Sequence, residues 1–149
     1  MDNKKWVIIY NPAAGGGLSG KKWAKIKRYL ALKKITGPIY KTSIHKNAGD
    51  LSAEVIKKGH TRIVCIGGDG TVHNLINGVY SQSTINPESL FIGVVPVGTG
   101  NDWARHYGLS RDYKKAVDVI ARGNTKSQDI GIMTVIGKEN QKVYFMNYA

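Results

Sequence analysis

The sequence is short of cysteine, of acid and of long apolar runs. Its 149 residues include one cysteine, Cys65, set in an apolar run, which rules out an internal disulfide and a cysteine-rich zinc site. No apolar stretch approaches the roughly 18 residues of a membrane span. The opening Met1-Asp2-Asn3-Lys4-Lys5 leads into a strand-like run and not into a secretion signal. The histidines (His45, His60, His73, His106) show no metal-ligand spacing, and there is neither a repeat nor a low-complexity tract. The expectation is a cytoplasmic protein with a core of ordinary size. Acids number 10 against 22 Lys and Arg, for a net charge of +12. That surplus predicts an anionic partner (nucleotide, nucleic acid or acidic membrane) or else a solvated basic surface.

What is present is organised around residues 62–74. Ile63-Val64-Cys65-Ile66 reads as a short buried strand. Gly67-Gly68-Asp69-Gly70-Thr71 follows, and Leu75, Ile76 and Val79 then recur at helical spacing. A strand, a glycine turn and a helix N-terminus make an anion site, because glycines let the backbone approach a phosphate and the first helical N–H groups point at it. Asp69 would repel a bare phosphate, so its place there suits a metal ion or a reacting hydroxyl nearby. Without function, the same stretch is a βα turn whose Asp69 caps the helix.

Trp6–Tyr10 reads as the first strand, ended by Asn11-Pro12-Ala13-Ala14-Gly15-Gly16-Gly17. Those glycines formally fit GxGxxG and the first part of a P-loop. No acid follows about 20 positions on, however, and Lys22 stands where a P-loop has Ser or Thr. Periodicity predicts helices over 21–33, 47–58 and 113–122, and strands over 38–42 and 90–95. The first helix carries Lys21, Lys22, Lys25, Lys27, Arg28, Lys33 and Lys34 without one acid. It is either a solvated face or a basic helix resting on anionic headgroups. Nucleic acid is not expected, since no binding module is recognised.

Thr42 stands at a strand end, where open α/β sheets bind ligands. Thr71 is expected to cap the helix after the glycine loop, and Asn101 or Asp102 to cap a short one after a second glycine junction, Pro96–Arg105. Two such junctions after two parallel strands imply a shared cleft. Past Gln128 the pattern changes to alternating residues through Val135, a turn at Lys138–Gln141 and a returning strand, Val143–Ala149. The expected fold is therefore an open, mainly parallel α/β sheet flanked by helices. It forms a nucleotide-binding domain over 1–128, with the start of a second, all-β domain over 129–149.

Gly67-Gly68-Asp69-Gly70-Thr71 resembles the phosphate loop shared by diacylglycerol kinases, sphingosine kinases, NAD kinases and phosphofructokinases. Asn11-Pro12-x-x-Gly15, Pro96-x-Gly98-Thr99-Gly100-Asn101-Asp102-x-Ala104-Arg105, and Asp129-x-Gly131 with Phe145-x-Asn147 complete a set that is similar, in the same order, to the diacylglycerol kinase catalytic family. The match is to the bacterial lipid kinases related to sphingosine kinases. The resemblance implies transfer of the γ-phosphoryl of ATP, with Mg²⁺, to a lipid hydroxyl such as that of diacylglycerol. It implies that Asn11, Pro12, Ala13, Ala14, Gly15, Thr42, Gly67, Gly68, Asp69, Gly70, Thr71, Val72, His73 and Thr99 line the nucleotide. Asp69 would be catalytic, and Asp129 would belong to an acidic, metal-linked network.

One departure is Asn74, preceded by His73, where many relatives have glutamate. Family members are roughly twice this length, on the scale of two domains. The chain is thus expected to be the N-terminal lobe of a longer kinase, nearly inactive alone, because the base in relatives comes from the second half. Expected partners are ATP, a lipid alcohol and an anionic membrane surface, with homo-oligomers open to it through exposed sheet edges. The rival readings are an NAD kinase and a non-catalytic nucleotide- or lipid-binding regulator.

Overall fold

Four short strands alternate with helices from the first turn onward: β1 (Val7–Tyr10), α1 (Leu18–Leu32), β2 (Ile39–Lys41), α2 (Ala48–Lys57), β3 (Arg62–Gly67), α3 (Asp69–Ser81), β4 (Phe91–Pro96), α4 (Asp102–His106) and α5 (Tyr113–Arg122). The structure, a computed structural model, describes residues 5–137 and 139–146. Lys138 of the expected turn, Asn147 of the Phe-x-Asn pair, and Tyr148 and Ala149 of the expected returning strand lie outside the described residues, as do Met1 to Lys4.

The strands form one parallel sheet in the order β2-β1-β3-β4, with Ile9 opposite Cys65 and Cys65 opposite Val94. All four residues of β1 are buried, as expected for a strand covered on both faces. Successive side chains go to opposite sides. Val7, Ile9, Ile63 and Cys65 pack with Leu51, Val55, Val72 and Leu75 of α2 and α3. Ile8, Tyr10, Val64 and Ile66 pack with Ile26 and Leu30 of α1 and Ala116 and Val117 of α5. Burial pushes the Cys65 thiol up to about 12, so it acts as a small core residue and not as a nucleophile.

Helix ends follow local chemistry. α5 spans the residues its periodicity predicts and ends on Gly123, whose φ of 73° suits a left-handed cap. α2 opens with a reciprocal capping box, Asn47 with Asp50. α1 starts at Leu18, three residues ahead of its expected start, because Gly17 at φ 89° turns the chain directly into it. α2 and α3 cross closely: a Cβ on Gly78 would lie 2.0 Å from the Gly49 carbonyl oxygen. Ser52 Oγ bridges the crossing by donating to the Leu75 carbonyl at 2.9 Å.

After α5 the chain forms an antiparallel hairpin, β5 (Ile130–Val135) with β6 (Gln141–Met146). The Phe145 ring covers Gly131, where a Cβ would sit 2.3 Å from it. The hairpin lies on α3. Tyr144 stacks on Tyr80 with centroids 4.6 Å apart, and Met146 joins the α2–α3 core. The Asn77 amide accepts from the Tyr144 N–H (2.9 Å) and donates to the Tyr144 carbonyl (2.8 Å), as a neighbouring strand would.

Candidate functional site

In a parallel sheet ordered β2-β1-β3-β4, the chain leaves β1 towards β2 on one side and returns with β3 on the other. A crevice opens outside the carboxyl ends of β1 and β3. Three loops meet there, and each is fixed by contacts that glycine makes available. Gly15, at φ 63°, lies against β4's exit, so that a Cβ would be 2.6 Å from the Val97 carbonyl oxygen. Gly68 lies against Gly98, where a Cβ on Gly98 would be 2.5 Å from the Gly68 Cα. Asn11 joins the first loop to the second by donating from Nδ2 to Thr71 Oγ1 at 3.0 Å, while its Oδ1 accepts from the Ala13 N–H.

The three helix starts at this edge are satisfied differently. At α1 the N–H groups of Leu18, Ser19 and Gly20 donate to the carbonyls of Gly15, Ala14 and Pro12. At α4 the Asp69 carboxylate accepts from Asp102 N–H (3.0 Å) and Trp103 N–H (3.2 Å). At α3 the N-cap is Gly68, with no side chain over it, and the N–H groups of Gly68, Asp69 and Gly70 have no acceptor among the described residues. The positive end of a 13-residue helix therefore faces the crevice with open donors. This arrangement can hold a phosphate.

Two expected caps are corrected by this geometry. Thr71 lies inside α3, and its hydroxyl holds Asn11 instead of capping a helix. Asn101 occupies the α4 N-cap position at φ 55° without capping through its side chain. Its amide stitches Gly98 instead, accepting from the N–H at 2.7 Å and donating to the carbonyl at 2.8 Å. Asp69 therefore caps a helix, but not its own.

Among the other expected site residues, Asn11, Pro12, Ala13, Ala14, Gly15, Gly68 and Thr99 belong to the loops that meet at the crevice, while Gly67 ends β3 and Asp69, Gly70 and Thr71 form the first turn of α3. Thr42 stands at the same edge of the sheet, buried, with its N–H donated to the Tyr10 carbonyl. Val72 turns its side chain into the core, so only its backbone faces this edge. His73 lies one turn along α3 beside Asn77, with Nε2 3.4 Å from Nδ2, on the side that carries the hairpin.

Asp129 is exposed, and its carbonyl accepts from Gln128 Nε2. Gln128 Oε1 accepts from the hydroxyl of Tyr107 at the end of α4. α4 thus spans from Asp69 at its start to the Gln128–Asp129 segment at its end. No group of three His, Cys, Asp or Glu side chains able to hold a metal occurs among the described residues. Each Asp69 oxygen accepts one backbone N–H and keeps a further lone pair.

Sequence reasoning missed Arg111. Its guanidinium donates to the carbonyls of Thr99 (3.0 Å) and Gly100 (3.2 Å), bracing the second glycine loop from outside. No motif marks it. Asn101 carried a faint signal, since asparagine after glycine is the residue that most readily takes a left-handed conformation.

The chain resembles known proteins in both sequence and structure. The model of the diacylglycerol kinase catalytic domain matches residues 5–133. A protein called diacylglycerol kinase from Staphylococcus carnosus is 35% identical over 153 residues, covering 98% of this chain and 44% of that protein. Another of that name, from Staphylococcus haemolyticus, is 36% identical over 149 residues, covering 95% and 40%. The crystal structure of a diacylglycerol kinase from Bacillus anthracis superposes with a TM-score of 0.73 at 27% identity, covering 87% of this chain and 47% of that one. The chain thus spans less than half the length of the relatives it matches.

Proposed function

The chain belongs to the diacylglycerol kinase catalytic domain family, and from that premise we propose that the full-length protein is an ATP-dependent lipid kinase. It would move the γ-phosphoryl of ATP to a hydroxyl of a lipid such as diacylglycerol. The observation that carries this reading is the open N-terminus of α3 at the β1–β3 crevice, beside two helix starts that the protein itself has satisfied. Phosphoryl transfer asks a protein mainly to position phosphates and to stabilise their charge. Free backbone donors at a helix end do both. The Asn11–Gly15 loop, Thr42, Gly67–His73 and Thr99 are the proposed nucleotide contacts.

Asp69 is the proposed catalytic carboxylate, standing where the acceptor hydroxyl would approach the cradle. In the structure each of its oxygens takes one N–H of α4, and each keeps a lone pair with which to accept from a hydroxyl. Mg²⁺ would enter as the companion of the ATP phosphates, with Asp129, exposed beyond the far end of α4, a proposed member of the acidic network linked to it. Residues 129–149 are proposed as the opening of a second, β-rich unit, with 1–128 the nucleotide-binding part. No helix among the described residues is long and apolar enough to cross a membrane. A bilayer lipid would then be reached from outside, with the acid-free α1 against an anionic surface.

The test is Asp69→Asn in the full-length protein. Turnover with a lipid acceptor should fall about a hundredfold or more while ATP binding is retained. Unchanged turnover would remove Asp69 from the chemistry. Labelled ATP offered with separate lipid and NAD pools decides the wider question. Label in NAD would make the protein an NAD kinase, and label in neither pool would make it a binding protein.

A further inference from the structure

Lys25, Arg28, Tyr29 and Leu32 fall at i, i+3, i+4 and i+7 on one stripe of α1. Together with Tyr113 and Lys114 from the first turn of α5 they line a groove of about 480 Å³, none of whose residues belongs to the glycine crevice. Its floor is apolar. Tyr29 and Tyr113 meet edge to face with centroids 6.1 Å apart, and Leu32 lies beside them 71% exposed. Its rim is cationic. Lys114 Nζ lies 5.9 Å from the centroid of the Tyr29 ring, and Lys25 and Arg28 stand on the α1 side.

The nearby acids do not neutralise that rim. α1 contains none. On α5, Asp112 Oδ1 caps the helix by accepting from the Lys114 backbone N–H. Asp118 is taken up by Lys33 Nζ at 2.8 Å and by the Tyr29 hydroxyl at 3.1 Å. Lys33 is therefore matched, whereas Lys25, Arg28 and Lys114 form no ion pair among the described residues.

Uncompensated cations around an aromatic and aliphatic floor select a ligand with a negative head and a hydrocarbon body. A nucleotide or nucleic acid would leave Leu32 against water, and a neutral lipid would leave three cations without a partner. We infer that this groove seats one anionic phospholipid of the bilayer, its phosphate on Lys25, Arg28 and Lys114 and the start of an acyl chain over Tyr29, Leu32 and Tyr113. The groove thereby fixes which face of the protein meets the membrane. This rests on the reading that the acceptor is a bilayer lipid, and it names the site through which the surface would be held.

The test reads vesicle binding by the full-length protein at low salt without ATP, using phosphatidylcholine alone or with about one-third phosphatidylglycerol. Replacing Lys25, Arg28 and Lys114 with serine should lower binding to the anionic vesicles at least about tenfold. Leu32→Asn, which leaves the charge unchanged, should lower it about threefold. Replacing Lys41, Lys57 and Lys142, which are exposed on other elements, with serine removes the same charge away from α1 and should cost less than about threefold. Equal losses in the two triple variants, wild-type binding by Leu32→Asn, or equal binding of the wild type to both vesicles would each overturn the groove. A melting curve for each variant separates lost binding from lost folding. Because no turnover is read, lipid phosphorylation without groove-dependent binding sinks this inference and leaves the kinase reading, and the reverse result does the opposite.

Discussion

The two glycine junctions share one sequence grammar and end as opposites. Each follows a strand of the parallel sheet, each carries closely spaced glycines, and each runs into a helix. The first, at 67–71, opens into a helix of 13 residues whose leading N–H groups are left free. The second, at 98–101, opens into a helix of five whose N–H groups are taken by Asp69, 33 residues earlier in the chain. It is held further by the Asn101 amide and by Arg111. One junction is a cradle and the other a brace for it. A strand, a turn and a helix thus do not suffice to identify an anion site; what decides is whether the protein has already satisfied the helix end.

The sharpest way to break this contrast is to add a methyl group on each side. Gly98→Ala would bring a Cβ to 2.5 Å from the Gly68 Cα and 2.7 Å from Asn101 Oδ1. It should destabilise the protein by about 1–3 kcal/mol in urea unfolding. Gly70→Ala meets nothing within 4 Å, so stability should stay within about 0.5 kcal/mol of wild type. If Gly70 lies under a phosphate, as proposed, that variant should nevertheless bind ATP more weakly, which calorimetry would show.

A smaller effect is expected when the cap is removed. Asp69→Ala leaves the Asp102 and Trp103 N–H groups without their acceptor and should cost about 1–2 kcal/mol. Hydrogen exchange at those two amides should quicken, while the amides of Asp69 and Gly70 should exchange fast in the wild type already. Slow exchange at Asp69 and Gly70 would show that the first helix end is not open.

Arg111→Ala should cost only about 0.5–1 kcal/mol, since its two bonds are solvent-exposed. Arg111→Lys should recover part of the loss but not the paired geometry. The least change is expected at Cys65, two residues before the first loop. With its thiol pushed up to about 12 by burial, it should resist iodoacetamide at pH 8 and react only on unfolding. Rapid labelling of the folded protein would mean that the β3 end of the cradle opens.

Much of the scaffold was legible because apolar spacing is a local signal. The stripe Tyr113, Ala116, Val117 and Ile120 with Gly123 after it located α5 to the residue. The early start of α1 was not legible, because Gly17 enters the helix through its backbone angle and leaves no side-chain signature. Gly67–Thr71 marked the cradle, but not the use of its two polar side chains. Thr71 has the chemistry of a cap and serves as a partner for Asn11, 60 residues away. Asp69 looked like a metal or substrate group and braces α4. Such long-range hydrogen bonds depend on two loops being brought together by a sheet, and no spacing along the chain encodes them. The four strand ends do predict that the loops converge, and that was enough to find the crevice.

Asn77 sets the phase of the hairpin. Its amide oxygen accepts from, and its amide nitrogen donates to, the two backbone groups of a single residue, Tyr144. Sliding β6 by one position would carry Tyr144 off the Tyr80 ring and take Met146 out of the core, since neighbouring residues of a strand face opposite ways. Aspartate cannot donate there and leucine can do neither, so aspartate would leave the Tyr144 carbonyl unpaired and leucine both backbone groups. The angle at which the polypeptide leaves the α/β body is thereby indexed by one side chain, much as a dowel fixes two machined parts before any bolt is tightened.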